Sequence, residues 1–304
     1  MRANGRVDVT AGVLVVDKPR GITSFDVVRA VGRILGERKC GHAGTLDPMA
    51  TGVLPVCVGA ATKIAGYLTE EEKEYEATFA IGVATDTGDA TGKPVEERPG
   101  ATVPEGAVSG ALAALVGTFE HVPPAYSAVK VGGVRSYKLA RKGIDVPLAA
   151  RRVTVREARL LSIGPDRFRV FLAVSKGFYV RSLPRDLGVR LGVPLTVSEL
   201  RRTRVGAFRE ELAVTLDALC ERARGGDAAS LLIPIVDALG RFPHWEVPAE
   251  AIPQVRNGRL SGPWLVERVA ASMGDLALLV TSRREPLAIV GRDPTGLWKI
   301  VRGI

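Results

Sequence analysis

Cysteine and histidine are scarce, with three of each in 304 residues. Cys40, Cys57 and Cys220 have no CxxC spacing, which argues against a disulfide framework and a cysteine-rich zinc site. Free thiols in a reducing compartment are the expectation. Cys40-Gly41-His42 places two ligand types together, but no second cluster completes a metal site, and His121 and His244 stand apart in sequence. No metal and no cofactor is expected. No apolar run approaches the roughly 20 residues of a membrane span. Residues 1–10 lack the apolar core of a signal peptide. A cytoplasmic protein without membrane contact is therefore expected.

What is present is ordinary globular material with a basic bias. Hydrophobic residues make up 46% and charged residues 25%, enough apolar content for a real core. At about 150 residues per domain, the length suggests two domains. The formal charge of +9 favours a polyanionic partner. Arginine outnumbers lysine in the second half, and its planar fork suits phosphate.

Hydrophobic periodicity places several elements. Residues 12–16 predict a first strand. Thr23 or Ser24 then caps a helix carrying Val27, Val28, Val31 and Leu35, with Asp26 in its first turn and Gly36 at its end. A second apolar segment covers 60–68. Residues 72–81 alternate as a strand with Tyr75, Ala77, Phe79 and Ile81 on one face. Residues 105–116 have helical spacing. Two strands, 153–163 and 168–174, flank Gly164-Pro165-Asp166, and 177–183 lead into a helix that ends near Gly188 or Gly192. Thr215 caps a helix over 216–222. A boundary falls within 240–248, and 247–304 carry short apolar runs, Trp264 to Val266 among them, that suggest a small β-rich domain. Gly88-Asp89-Ala90-Thr91-Gly92-Lys93 mimics a phosphate loop, but its glycines are one residue too close and Pro94 follows the lysine, so a turn is expected.

Residues 41–56 read as a shaped loop with one acid. Asp47 sits among small, apolar and turn-forming residues, where an unpaired carboxylate is costly. Pro48 biases it toward extended backbone. Two roles fit it: a turn-capping acid before proline, or a reactive carboxylate. Arg181 lies in the apolar, aromatic segment 178–183 and needs an anion. Asp186 is one nearby partner in sequence.

Six segments, in order over about residues 12–220, resemble the bacterial tRNA pseudouridine-55 synthases of the TruB type. They are Asp17-Lys18-Pro19-Arg20-Gly21-Ile22-Thr23-Ser24, the run from His42 to Gly52 around Asp47, and Lys73-Glu74-Tyr75 leading to Gly82. Next come Pro123-Pro124-Ala125-Tyr126-Ser127-Ala128-Val129-Lys130 and the run from Ser175 to Leu183 with Asp186-Leu187-Gly188. The last runs from Leu200 to Phe208. One departure is Phe178, where the family often has threonine; it adds bulk beside Tyr179.

The resemblance implies a tRNA uridine isomerase that needs no cofactor. Asp47 becomes the catalytic carboxylate, Arg181 its ion-pair partner, and Tyr75 the base contact. Tyr179 and Leu200 join Tyr75 around the uracil, with ordinary core packing as the competing role for both. His42 enters the space left when bases leave the RNA loop; a turn histidine is its competing role. Lys18 and Pro19 support the floor. RNA phosphates are expected to meet Lys130, Arg135, Lys138, Arg141 and Lys142 of a 121–150 insertion, together with Arg201, Arg202 and Arg204. Arg151-Arg152 ranks below these.

The implied fold is α+β: a mixed, mainly antiparallel central sheet with flanking helices over 1–240, then a small C-terminal β-rich PUA-like domain over 241–304. The expected partner is the tRNA T-stem-loop, without membrane and without an obligatory protein. Two other classes fit parts of the pattern: a non-catalytic RNA-binding or tRNA-folding protein, and a component of a guide-RNA-dependent pseudouridylase.

Overall fold

The computed structural model describes residues 11–127, 129–140, 144, 148–272 and 274–304. Its largest feature is a mixed, mainly antiparallel sheet with ten strands among the described residues. Across the sheet run Ile233–Pro234, Gly12–Lys18, Thr51–Val58, Leu195–Val205, Lys73–Ile81, Arg167–Val174, Arg151–Ile163 and Gly117–His121. Cys40–His42 pairs with Thr51–Val58, and Phe208–Arg209 with Leu195–Val205. The parallel contact is between Thr51–Val58 and Leu195–Val205, through Arg201↔Thr51 and Arg202↔Gly52.

The side-chain alternation explains which strands are central. In Gly12–Lys18, Leu14 and Val16 enter one apolar cluster while Val13 and Val15 enter another. A strand buried on both faces reads as a continuous apolar run rather than an alternating one. Arg167–Val174 alternates, burying Phe168, Val170, Leu172 and Val174. Phe168 is the cross-strand partner of Phe79, and their rings stack at 5.2 Å. Such a pair adds about 0.5–1.5 kcal/mol beyond its buried area.

The first helix, Ser24–Leu35, starts as the sequence pattern expects. Thr23 and Asp26 form a reciprocal capping box, and Gly36 closes the helix in the left-handed region. Leu183–Leu191 ends at Gly192 in the same manner. Thr215 caps Leu216–Arg224.

Two expectations need correction, and one strand has no counterpart in the sequence pattern. Residues 41–56 are not one loop: the strands Cys40–His42 and Thr51–Val58 bracket a short turn. Gly52 and Pro55 disguise the second strand, yet Pro55 sits in it opposite Val15, and its carbonyl accepts the Ala43 N–H. The Trp264–Val266 run is not a strand but part of the helix Pro263–Ala271, with Pro263 in its first turn. The pattern also offered no element for 195–205, the longest central strand after Arg151–Ile163.

A second sheet holds His244–Glu246, Leu276–Val280, Pro286–Arg292 and Trp298–Gly303, so the C-terminal region is β-rich and has a separate sheet. It packs on the main body: Leu278, Val280 and Ile289 share an apolar cluster with Val13, Val53 and Phe242. Among the described residues, no helix is long and apolar enough to cross a membrane.

Candidate active site

The turn between Cys40–His42 and Thr51–Val58 is held through its backbone, which leaves the Asp47 side chain available. Ser24 Oγ donates to the Leu46 carbonyl at 3.0 Å and accepts the Leu46 N–H at 2.8 Å. The Gly21 N–H reaches the Pro48 carbonyl at 2.7 Å. From below, Lys18 Nζ donates to the carbonyls of Pro19 at 2.8 Å and Pro48 at 3.3 Å. Lys18 is fully buried, and burial pulls its pKa down to about 8 although Asp47 opposes the shift.

Arg202 carries the other side of the turn. Its Nε donates to the Val53 carbonyl at 2.8 Å, Nη2 to Gly44 at 3.1 Å and Nη1 to Thr45 at 3.4 Å. Burial lowers its pKa, an effect opposed by the Tyr75 hydroxyl beside it and by Asp47. Gly52 is required here: it has φ +99°, and a Cβ would lie 2.2 Å from the Arg202 carbonyl oxygen.

Arg181 faces Asp47 with both edges of its fork. Its Nε is 2.7 Å from Asp47 Oδ2, and Nη2 is 3.2 Å from Oδ1. The same guanidinium donates to the carbonyls of Thr87 at 3.1 Å and Tyr126 at 2.6 Å. The Arg181 side chain is 5% exposed and that of Asp47 34%, so the pair is fixed from the arginine side and open on the carboxylate side. Asp186 is not the partner; it pairs with Arg185 instead. Asp89 is the second acid at Arg181, with Oδ2 3.5 Å from Nε. The phosphate-loop mimic is thus a turn that brings a buried aspartate to the arginine. Gly88 permits the approach, since a Cβ there would meet the Arg181 carbonyl oxygen at 2.3 Å.

A cleft of about 530 Å³ opens over this pair. Tyr75, Tyr179 and Leu200 line it with Asp47 and Arg181, so all five residues expected around the carboxylate and the uracil come together. Tyr75 and Leu200 come from the adjacent strands Lys73–Ile81 and Leu195–Val205, where Tyr75 is the register partner of Arg202. His42 is half-buried on the strand that enters the turn and does not line this cleft. Phe178 is buried and stacked on His121 at 4.7 Å, so its bulk is accommodated beside Tyr179.

The expected phosphate contacts divide differently. Arg202 is 1% exposed and bonds the turn, so it is not an RNA contact. Arg201 pairs with Asp17 at 3.0 Å and lies near Glu210, while Arg204 pairs with Glu74. Both arginines are partly exposed and ion-paired within the protein, so only Arg202 is removed from the basic patch expected over 201–204. In a central strand the alternate side chains turn inward, and composition alone does not reveal which. Arg141 and Lys142 lie outside the described residues, and Lys130, Arg135 and Lys138 are described only by their backbone.

Four cleft residues carry more than the sequence pattern gave them. Arg151 and Arg152, ranked last among the basic candidates, line the cleft and are exposed. Lys176 lies there too, paired with Glu70. Lys73 lies buried in the wall, donating to the Thr69 and Glu71 carbonyls, and burial draws its pKa down to about 8. The signal for the arginine pair was its position just after the insertion, at the start of a strand.

Two family models match the chain. Residues 32–180 match the N-terminal domain of TruB family pseudouridylate synthases, and 181–239 match the C-terminal domain of tRNA pseudouridylate synthase B. Among curated proteins, the chain is 45% identical to the tRNA pseudouridine synthase B of Mycobacterium sp. (strain KMS), over 95% of this chain and 98% of that one. It is 41% identical to the tRNA pseudouridine synthase B of Geobacillus thermodenitrificans (strain NG80-2), over 93% and 95% of the two chains. Among solved structures, a chain of a Cbf5-Nop10-Gar1 complex is similar with a TM-score of 0.73 and 26% identity, covering 100% of this chain and 86% of its own.

Proposed function

As a member of the TruB family of pseudouridylate synthases, the chain isomerises uridine in tRNA, and we propose that Asp47 is the carboxylate that performs this reaction, at uridine 55 of the T-loop. One observation carries the assignment: a single carboxylate, gripped at both oxygens by Arg181, lies open to a cleft walled by Tyr75, Tyr179 and Leu200.

The chemistry asks for little else. The glycosidic C–N bond breaks, the uracil turns, and a C–C bond forms between ring and sugar. The ring carbon gives up a proton and the freed nitrogen takes one, so the balance closes without oxidant or donor group. Asp47 reaches the sugar as nucleophile or as base toward a sugar proton, and both roles need the same oriented oxygen. The target base must leave its stack to enter the cleft, where Tyr75 and Tyr179 offer aromatic surface in exchange. Arg181 fixes the carboxylate, Leu200 closes the apolar wall, and His42 stands on the strand leading into the turn to fill the space left in the RNA loop.

We assign this activity to the chain acting alone in the cytoplasm, with no guide RNA or protein partner. The relatives named as tRNA enzymes are 41–45% identical over nearly the whole chain, whereas the Cbf5 complex chain is 26% identical. Residues 1–240 then form the catalytic part, and 241–304 an appended RNA-binding unit.

The test is incubation of the purified protein with a T-stem-loop RNA, read by mass spectrometry of its nucleosides. The wild-type chain converts one uridine without additions. Asp47→Asn binds the RNA with unchanged affinity and loses turnover on the order of 10⁴-fold. Retained conversion by Asp47→Asn would overturn the assignment of Asp47, and a requirement for added RNA or protein would overturn the stand-alone activity.

A further inference from the structure

His121 is a buried titratable group that the proposed chemistry does not use. It ends the strand Gly117–His121 and is 1% exposed. Its Nε2 lies 3.2 Å from the Tyr179 backbone nitrogen, which donates to it. Its ring lies 4.7 Å from that of Phe178 at an interplanar angle of 8°, and the Phe119 ring stands edge-on to it at 6.2 Å. The next residue, Val122, accepts a 2.8 Å hydrogen bond from Ser182 Oγ. The end of this strand is therefore fastened to 178–182, the segment that carries both Tyr179 and Arg181.

We propose that His121 is a positioning residue for Tyr179: its unprotonated Nε2 accepts the Tyr179 N–H and its stacked ring holds Phe178, which together fix how Tyr179 is presented to the cleft. The inference rests on the assignment of Tyr179 to the reacting base. Because Nε2 accepts, the ring proton of the neutral imidazole is on Nδ1, a buried atom with no hydrogen-bond partner among the described residues. A second proton would set Nε2–H against the Tyr179 N–H, two donors facing one another, and the fastening would open.

The surroundings favour the neutral ring. Burial lowers the His121 pKa below its usual 6.5. Asp186 on the helix Leu183–Leu191 acts in the opposite direction, and Arg185 on the same helix acts with burial. Arg151 stands opposite His121 in strand register. At pH 7 the fastening is intact, and it is lost as pH falls through the lowered pKa.

The test compares turnover on a T-stem-loop between pH 5.5 and 8 for wild type, His121→Gln and His121→Phe. Wild type loses turnover on the acid side with a midpoint below 6.5. His121→Gln restores an acceptor that does not titrate, so its acid limb disappears. His121→Phe keeps a ring to stack but no acceptor, and its kcat at pH 7 is lower by roughly fivefold. Superimposable wild-type and His121→Gln profiles would overturn the inference. A second measurement does not depend on turnover. The chain has five tyrosines, so 15N-tyrosine labelling gives at most five amide signals, with that of Tyr179 identified by its absence in Tyr179→Phe. The Tyr179 amide moves with a midpoint below pH 6.5; no movement between pH 5 and 8 overturns the inference even if the variants fold poorly. Wild-type protein without turnover at any pH would instead count against the Asp47 assignment, and the amide titration would still decide His121.

Discussion

Arg181 Nη2 is shared between Asp47 Oδ1 at 3.2 Å and the Tyr126 carbonyl at 2.6 Å. Tyr126 belongs to the root of the 121–150 insertion, so the arginine that orients the carboxylate is also tied to the segment expected to grip RNA. One guanidinium thereby makes the alignment of Asp47 depend on where that root lies.

Replacing the fork tests this arrangement. Arg181→Lys offers one ammonium on a flexible stem and cannot satisfy Asp47, Thr87 and Tyr126 together. A kcat reduction of about 100-fold or more is expected, with a much smaller change in KM. Steady-state kinetics on a stem-loop substrate separate the two.

Arg202 supports the turn and not the RNA. Arg202→Met leaves the carbonyls of Gly44, Thr45 and Val53 without their donor in a buried place. A stability loss on the order of 3 kcal/mol is expected, measured by urea unfolding. The salt dependence of RNA binding by the folded fraction stays as in wild type.

The cleft-edge arginines predict the converse. Arg151→Ala with Arg152→Ala removes exposed cations beside the cleft and little packing. RNA affinity falls, and the slope of log K against log salt decreases by roughly one for each lost phosphate contact. Arg201→Ala, whose partners are Asp17 and Glu210, leaves that slope unchanged. A filter-binding series across salt concentrations distinguishes the two variants.

Lys18 sets a pH dependence of stability. Its folded-state pKa of about 8 lies below the unfolded value of 10.5. Between these values the unfolded chain holds a proton that the folded chain has released, so unfolding free energy rises with pH across that window. Relative to Lys18→Met, wild type gains roughly 1–2 kcal/mol between pH 8 and 9.5. Denaturant melts of both proteins at the two pH values check the sign.

Legibility followed locality. The Thr23–Asp26 capping box and the alternation in Lys73–Ile81 lie within a few residues and were readable directly. Asp47 and Arg181 are 134 positions apart, and the chain's own pattern said only that a buried arginine needs an acid, with Asp186 equally at hand. The TruB resemblance supplied the pairing. Leu200-Arg201-Arg202-Thr203-Arg204 looks like a basic surface in sequence, whereas the buried guanidinium of Arg202 is a tertiary fact. The helix Pro263–Ala271 is not legible in the sequence, since a short apolar run beginning with tryptophan suits either periodicity. Arg151 and Arg152 gained their place from the turn of the sheet that brings 151–155 beside the cleft.

The support of the Asp47 turn by Arg202 also bears on the order in which the molecule is made. The three carbonyls that Arg202 holds come 149 to 158 positions earlier in the chain. During synthesis the turn therefore leaves the ribosome long before its donor exists. A nascent chain ending short of the Leu195–Val205 strand carries Asp47 but not the guanidinium beneath its turn. The pocket around Asp47 is thus completed late in translation, only after the Leu195–Val205 strand has been made.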